Sequence, residues 1–427
     1  MKKLDFSRVG EQMYHEKLEN GLNVFVFPKA DFQKGYAFFA TNYGGMDMRF
    51  CLDGEWHDTP AGVAHFLEHK MFDTQEGNAL QDLAANGASP NAFTSSGITG
   101  YYFESTEKFE ENLRILLSFV SIPWFTQESV DKEQGIIGQE IGMIEDNPDW
   151  KVFMNLMAAL YKTHPIRVSV AGSVESISHI TADTLYACHK AFYDPANMVL
   201  CVAGPVDPEH ICDVAWEILP KEAGPIAAKD YGEKEADRVA QERIETAMEV
   251  STPIFQLGCK GDAPKRGEDG LRQELVAGLA LEALLGNSSP LYAKLYREGL
   301  INQSFAYAYE SYPGCAFVCA GGESKDPEAV RMAVLEEAGR IGREGIDGKL
   351  WERLKKGSYG ARVRSLNSFE NLCVGQAQSF FAGFDFLTFA ELFGAITKKE
   401  AEELIAAWVT EERTALSVVW PRGEGQA

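Results

Sequence analysis

The sequence predicts an α+β protein of two domains. Apolar runs with the two-residue period of strands and runs with the helical period are mixed irregularly along the chain, not laid down as strict β-α-β units. At 427 residues the chain exceeds one ordinary hydrophobic core. Residues 223–247 change in character: they are rich in Ala, Glu, Lys and Asp, hold few large apolar side chains and contain Gly224-Pro225. They read as a linker between domains at 1–222 and 248–427.

The first domain opens with a hairpin, because Asn20-Gly21 is a two-residue turn signal ahead of the strand Val24-Phe25-Val26-Phe27. Residues 36–41 read as an apolar strand ending at Gly44-Gly45. Helices are expected at about 61–72 and 77–86, the second stopped by Asn86-Gly87. A strand follows at 99–105. Phe109, Leu113, Leu116, Leu117 and Val120 recur at helical spacing, and Pro123 closes that helix. A longer helix covers about 127–146 and stops at Asn147-Pro148. Helices at 150–161 and 181–191, a strand at 198–203 and a helix at 207–218 complete the domain. The second domain starts near Glu249 with Ile254-Phe255-Gln256-Leu257-Gly258.

Charge and cysteine usage narrow the function. A formal net charge of −23 argues against nucleic acid and anionic membrane surfaces as partners. Residues 1–10 lack the apolar core of a secretory signal, and no run of about eighteen apolar residues predicts a membrane span. The eight cysteines include no C-x-x-C pair. Cys315 and Cys319, four apart in an extended run, face one way and read as core packing. No disulfide framework emerges, so a cytoplasmic protein is expected.

The chemistry concentrates at His65-Phe66-Leu67-Glu68-His69. On a helix, positions i, i+3 and i+4 share a face, which groups His65, Glu68 and His69. Two imidazoles one turn apart can hold one zinc ion, and a carboxylate beside them can take a proton from water. The order H-x-x-E-H is the inverse of the H-E-x-x-H zinc motif. A catalytic zinc takes a third protein ligand from another element. Glu133 and Glu140, seven apart and on one helical face, are the candidates; one can ligate and the other can orient a ligand. Ile136, Ile137 and Ile141 are expected to anchor that helix.

This pattern, with E-x6-E about seventy residues after the histidines, resembles the pitrilysin/insulinase/mitochondrial processing peptidase family. Gly87-Ala88-Ser89-Pro90-Asn91-Ala92-Phe93-Thr94-Ser95 with Tyr101-Tyr102-Phe103 resembles the family's substrate-side edge strand. His164-Pro165 with Ala171-Gly172-Ser173, and Tyr193-Asp194-Pro195-Ala196-Asn197 with Val202-Ala203-Gly204, match two further blocks. The resemblance covers most of 15–220 and is looser beyond. It implies one Zn2+ per chain held by His65, His69 and Glu140, with Glu68 as general base and Glu133 supporting the ligands. Asn91 and Ala92 become contacts for an extended peptide substrate. It also implies two similar α/β-sandwich domains, the second without zinc ligands, in a clamshell with a partner subunit. A faint repeat agrees: Leu279–Leu285 lies over the zinc helix, 291–299 over 80–87, and Phe305 over Phe93.

The second domain departs from the family at one place. Active members carry an Arg and, seven residues on, a Tyr that steady the oxyanion; here those positions fall on Leu295 and Asn302, with Tyr296 and Arg297 out of register. The expected function is a zinc-dependent endopeptidase acting on peptides, completed by a homologous partner subunit carrying Arg and Tyr, or by a second copy. The alternatives are a non-cleaving scaffold subunit and a dedicated factor in the maturation of one peptide or protein.

Overall fold

Two runs without polar alternation, residues 35–41 and 198–204, are buried at every position, so both faces of the sheet they centre are covered. The computed structural model describes residues 1–423. They form two compact units that interleave the sequence. Unit 1 comprises 1–141, 168–230 and 363–390; unit 2 comprises 142–167, 231–362 and 391 onward. The expected division is linear, but two helices are exchanged across it. Pro148–Leu160 belongs to unit 2 and Phe369–Ala382 to unit 1.

Unit 1 contains β1 (Lys2–Phe6), β2 (Glu11–Lys17), β3 (Asn23–Pro28), β4 (Gly35–Thr41), β5 (Arg49–Leu52), β6 (Glu55–Asp58), β7 (Ser89–Thr94), β8 (Thr99–Ser105), β9 (Met198–Gly204) and β10 (Ala228–Lys229). Its main sheet has the order β1-β2-β3-β9-β4-β8-β7, with β3 and β9 parallel and the other pairs antiparallel. Helices α1 (Val63–Met71), α2 (Ala79–Ala85), α3 (Phe109–Ser121) and the greater part of α4 (Gln127–Glu145) belong to the same unit. Helix 369–382 packs on β4 and β9, with the Phe380 ring 5.4 Å from that of Phe25.

Unit 2 contains β11 (Arg243–Met248), β12 (Ile254–Lys260), β13 (Ala306–Tyr312), β14 (Cys315–Glu323) and β15 (Thr414–Pro421), in the order β11-β15-β12-β14-β13. Only β11 and β15 are parallel. This repeats β3-β9-β4-β8-β7 strand for strand, in chain order and in direction. The repeat extends to the helices, since Gly267–Leu285 and Pro290–Arg297 stand where α1 and α2 stand. The two units are therefore similar α+β domains, as expected.

Several local readings are corrected. The β2–β3 turn is not a two-residue turn: Leu18 N donates to Leu22 O at 2.8 Å, leaving Glu19, Asn20 and Gly21 as a three-residue loop. Asn20 spends its side chain on Leu22 N and Pro220 O. A two-residue hairpin occurs instead at Asp53-Gly54, with φ of 53° and 86°, between β5 and β6. β1, β5 and β6 escaped the sequence reading because they are short and half polar. Part of the expected linker is built into sheets, as β10 beside β5 and β11 beside β15. Ile136 does not anchor α4; it is 49% exposed, whereas Val130, Ile137 and Ile141 are buried. Residues 130, 137 and 141 share one helical face, and Ile136 lies about 100° around from Ile137.

Glu235 ties the former linker to residues 162–164. Its carboxylate accepts from the backbone N–H of Lys162, Thr163 and His164 at 3.1, 2.5 and 2.9 Å. Burial alone would push its pKa up, but these amides hold it at about 2, below the usual 4.5. A carboxylate with a depressed folded pKa stabilises above its unfolded value and loses that contribution as pH falls through the folded one. Glu235→Ala should cost about 1–3 kcal/mol at pH 7. Urea titrations should show that deficit shrinking as pH drops from 4.5 toward 2.

Candidate metal centre

Helix α1 starts where two glycines interlock. Gly62 (φ 95°) and Gly172 (φ 73°) both adopt left-handed backbone. A Cβ on Gly62 would meet Ala171 O at 2.7 Å, and one on Gly172 would meet Ala61 O at 2.5 Å. Ser176 Oγ donates to Ala61 O at 2.8 Å. This contact is the physical reason for the Ala171-Gly172-Ser173 block: it sets the first turn of the helix that carries the histidines.

From α1, Phe66 and Leu67 are fully buried, while His65 and His69 keep partial exposure. The imidazole rings stand 4.7 Å apart, at 67°. Helix α4 brings Glu140 against both: His65 Nε2 lies 3.6 Å from Oε1, and His69 Nε2 lies 3.6 Å from Oε2. These separations are too long for hydrogen bonds. Ligand atoms about 2.0–2.1 Å from one ion at the tetrahedral angle sit about 3.3–3.4 Å apart. The donor set, two imidazole nitrogens and a carboxylate, therefore suits a zinc ion in both chemistry and spacing. Among the described residues this is the one group of three or more potential ligands found, its atoms within 4.8 Å of one another.

Glu133, two turns earlier on α4, does not join that group. Its Oε1 accepts from His69 Nδ1–H at 3.1 Å, which leaves the Nε2 lone pair of His69 facing Glu140. His65 Nδ1 is buried with no such partner, so packing alone orients that ring. Burial, reinforced by the neighbouring His69, pushes the His65 pKa down to about 4 and keeps its imidazole neutral. Burial acts the same way on His69, but the hydrogen bond to Glu133 and the carboxylates of Glu68 and Glu140 outweigh it and raise its pKa.

Glu68 is 8% exposed, and burial raises its pKa. Thr94 Oγ1 donates to its Oε2 at 2.6 Å, a contact that sequence reading missed. The signal was available: on a strand, Thr94 shares a face with Ala92. Asn91 and Ala92 lie on β7, the terminal strand of the main sheet. Asn91 is exposed, and its Oδ1 accepts from Ala92 N–H at 2.9 Å, so that amide is not spent on the sheet. Pro90, lacking an N–H, fits an edge strand. In unit 2, Leu295 is buried, and the exposed Asn302 donates to Glu323 at 2.7 Å.

Sequence comparison joins these observations to known proteins. The model for the insulinase family, peptidase family M16, matches residues 53–173, and that for the M16 inactive domain matches 179–358. The chain is 38% identical over 427 residues to the uncharacterized zinc protease YmfH of Bacillus subtilis, covering 99% of this chain and all of YmfH. It belongs to peptidase family M16. The crystal structure of an M16-like peptidase from Alicyclobacillus acidocaldarius superposes with a TM-score of 0.93 at 33% identity, covering 96% and 98% of the two chains. The first half of the periplasmic protease PqqL from Escherichia coli shares the fold, with a TM-score of 0.73 at 16% identity over 96% and 92% of the chains. Against full-length PqqL, this M16 chain covers 47%. Within the M16 frame, the segment matching the inactive-domain model includes helix 267–285, whose Leu279–Leu285 stretch carries no histidine.

Proposed function

We propose that this M16 chain is a zinc-dependent endopeptidase acting on peptides or short unfolded polypeptides. It would bind one zinc through His65, His69 and Glu140. One observation carries the reading: both Nε2 atoms face the Glu140 carboxylate at 3.6 Å, at the spacing of ligands to a shared ion. Zinc bound there would supply Lewis acidity toward the attacking water and the scissile carbonyl.

The chain's own residues do the rest. Glu68 takes a proton from the attacking water and delivers it to the leaving amine. Its raised pKa brings the acid and base forms closer together near neutrality. Glu133 holds His69 in the ligating orientation. The open edge of β7 receives the substrate as an added strand, with Asn91 and Ala92 in contact with it. Backbone pairing of this kind makes sequence selectivity broad. The oxyanion donors come from a homologous partner subunit with Arg and Tyr in place of Leu295 and Asn302, or from a second copy. The half-length relation to PqqL supports a paired arrangement. The cysteines, all free and mostly buried, support a cytoplasmic setting.

Cleavage of fluorogenic oligopeptides by the zinc-loaded chain, with and without a homologous partner chain, tests this. The partner should raise the rate about 100- to 1000-fold, the usual weight of an oxyanion donor, and a chelator should abolish it. A zinc-loaded chain that cleaves nothing in either setting would remove the peptidase reading in favour of a scaffold.

A further inference from the structure

The base assigned to Glu68 needs more than a favourable helix position. A carboxylate on a flexible side chain can rotate, and only some rotations present a lone pair to the water. Thr94 sits where this can be controlled. Its Oγ1 lies 2.6 Å from Glu68 Oε2, so one carboxylate oxygen is tied and the other is left to handle the proton.

Thr94 is itself held by a rigid platform. It is the last residue of β7 and pairs with the fully buried Thr99, whose Oγ1 donates to Tyr43 O at 2.9 Å. The tip beyond Thr94 closes with Ser95 N–H donating to Ile98 O at 2.8 Å. A second turn clamps that tip: Gly45 N–H donates to Ser95 O at 2.9 Å and Met46 N–H to Ser96 O at 3.0 Å. The two turns approach so closely that a Cβ on Gly44 would meet Gly97 N and Ser95 O at 2.6 Å. The clamp is braced by the buried Asp47 carboxylate, which accepts from Gly44 N–H at 2.8 Å and Lys229 Nζ at 2.9 Å. None of this bracing is needed to form β7 as a strand. It fixes where the end of β7 stands.

We propose that Thr94 is a positioning residue for Glu68: its hydroxyl, presented from a clamped sheet edge, sets the rotation of the carboxylate that serves as base. The same strand would then align the substrate and the base, since Ala92 and Thr94 are two residues apart on β7. This rests on the peptidase reading of the site.

Thr94→Val keeps the shape and removes the hydroxyl, both the donor to Glu68 and the acceptor of a long 3.4 Å contact from Thr99 Oγ1, which keeps its bond to Tyr43 O. It should lower kcat about 10- to 100-fold, the scale of losing an aligned reacting group, with KM within about twofold of the parent. Zinc content should be unchanged, and the thermal midpoint should fall only modestly, as for one lost hydrogen bond. Thr94→Ser, which restores the hydroxyl, should recover most of kcat. High-resolution crystal structures of the zinc-loaded parent and both variants give a readout independent of turnover. The Glu68 carboxylate should hold one orientation in the parent and in Thr94→Ser, and a rotated or divided one in Thr94→Val. An unchanged kcat in Thr94→Val, an unmoved carboxylate, or a Thr94→Ser variant as impaired as Thr94→Val would overturn the proposal. If the parent does not cleave, the peptidase reading fails, and the carboxylate orientations still decide the role of Thr94.

Discussion

Glu68→Gln should leave zinc bound and remove cleavage. The substitution keeps the side-chain length, and the amide oxygen can still accept from the Thr94 hydroxyl that now lies 2.6 Å from Oε2. What it removes is a group able to take and return a proton. General-base catalysis is worth about 10²- to 10⁴-fold, so kcat should fall by at least that range while metal analysis still finds one zinc per chain. The converging atoms belong to His65, His69 and Glu140, and Glu68 is not among them. If zinc and activity disappeared together in Glu68→Gln, Glu68 would be a ligand and not the base. The pH profile should follow with a definite sign. Only the unprotonated carboxylate can act as base, so kcat/KM in the parent should decline as pH falls through the Glu68 pKa, which burial has raised above 4.5.

Glu140→Gln should weaken both zinc binding and cleavage. Its two oxygens face both Nε2 atoms at 3.6 Å, so the change removes the negative charge from the centre of the proposed ligand group. Glu133→Gln provides the contrast. That side chain accepts from the far nitrogen of His69, at 3.1 Å, and losing such an outer partner typically costs about 10- to 100-fold in affinity. Zinc titrations with a competing chelator should place Glu140→Gln beyond that range and Glu133→Gln within it. Equal losses would mean that the two carboxylates share the ligand role. Protons compete for the same nitrogens. Loading should weaken first as pH falls through the raised pKa of His69, because a protonated imidazole cannot ligate. His65, held down at about 4 by burial, becomes limiting only in stronger acid.

Much of the site was legible because a helix converts spacing into direction. His65, Glu68 and His69 at i, i+3 and i+4 had to share a face of α1, and Glu133 and Glu140 had to share a face of α4. The central strands were legible because buried strands lose polar alternation, as 35–41 and 198–204 do. The short polar strands at the sheet margins carried no such signal. The parallel pairing of β11 with β15 joins residues about 170 apart in sequence, which no local pattern encodes. Ile136 was misplaced for a related reason: hydrophobicity alone does not say which side of α4 is covered, and its neighbours Val130 and Ile137 took that side.

The sequence by itself determined the chemistry available here: two imidazoles one turn apart, a carboxylate beside them, and two more on a second helix, all of types that suit zinc and proton transfer. It also determined an α+β class; that the halves are similar came from the family resemblance and is seen in the matching strand orders of the two sheets. Only the tertiary structure decided where each carboxylate stands. Glu133 and Glu140 are equivalent by period, but the axial offset of α4 against α1 puts Glu140 at both Nε2 atoms and Glu133 at His69 Nδ1. That offset comes from side-chain packing along α4, which helical spacing does not specify. The structure likewise decided that Thr94 reaches Glu68, because a contact between a strand end and a helix 26 residues away depends on how two clamped turns seat against each other.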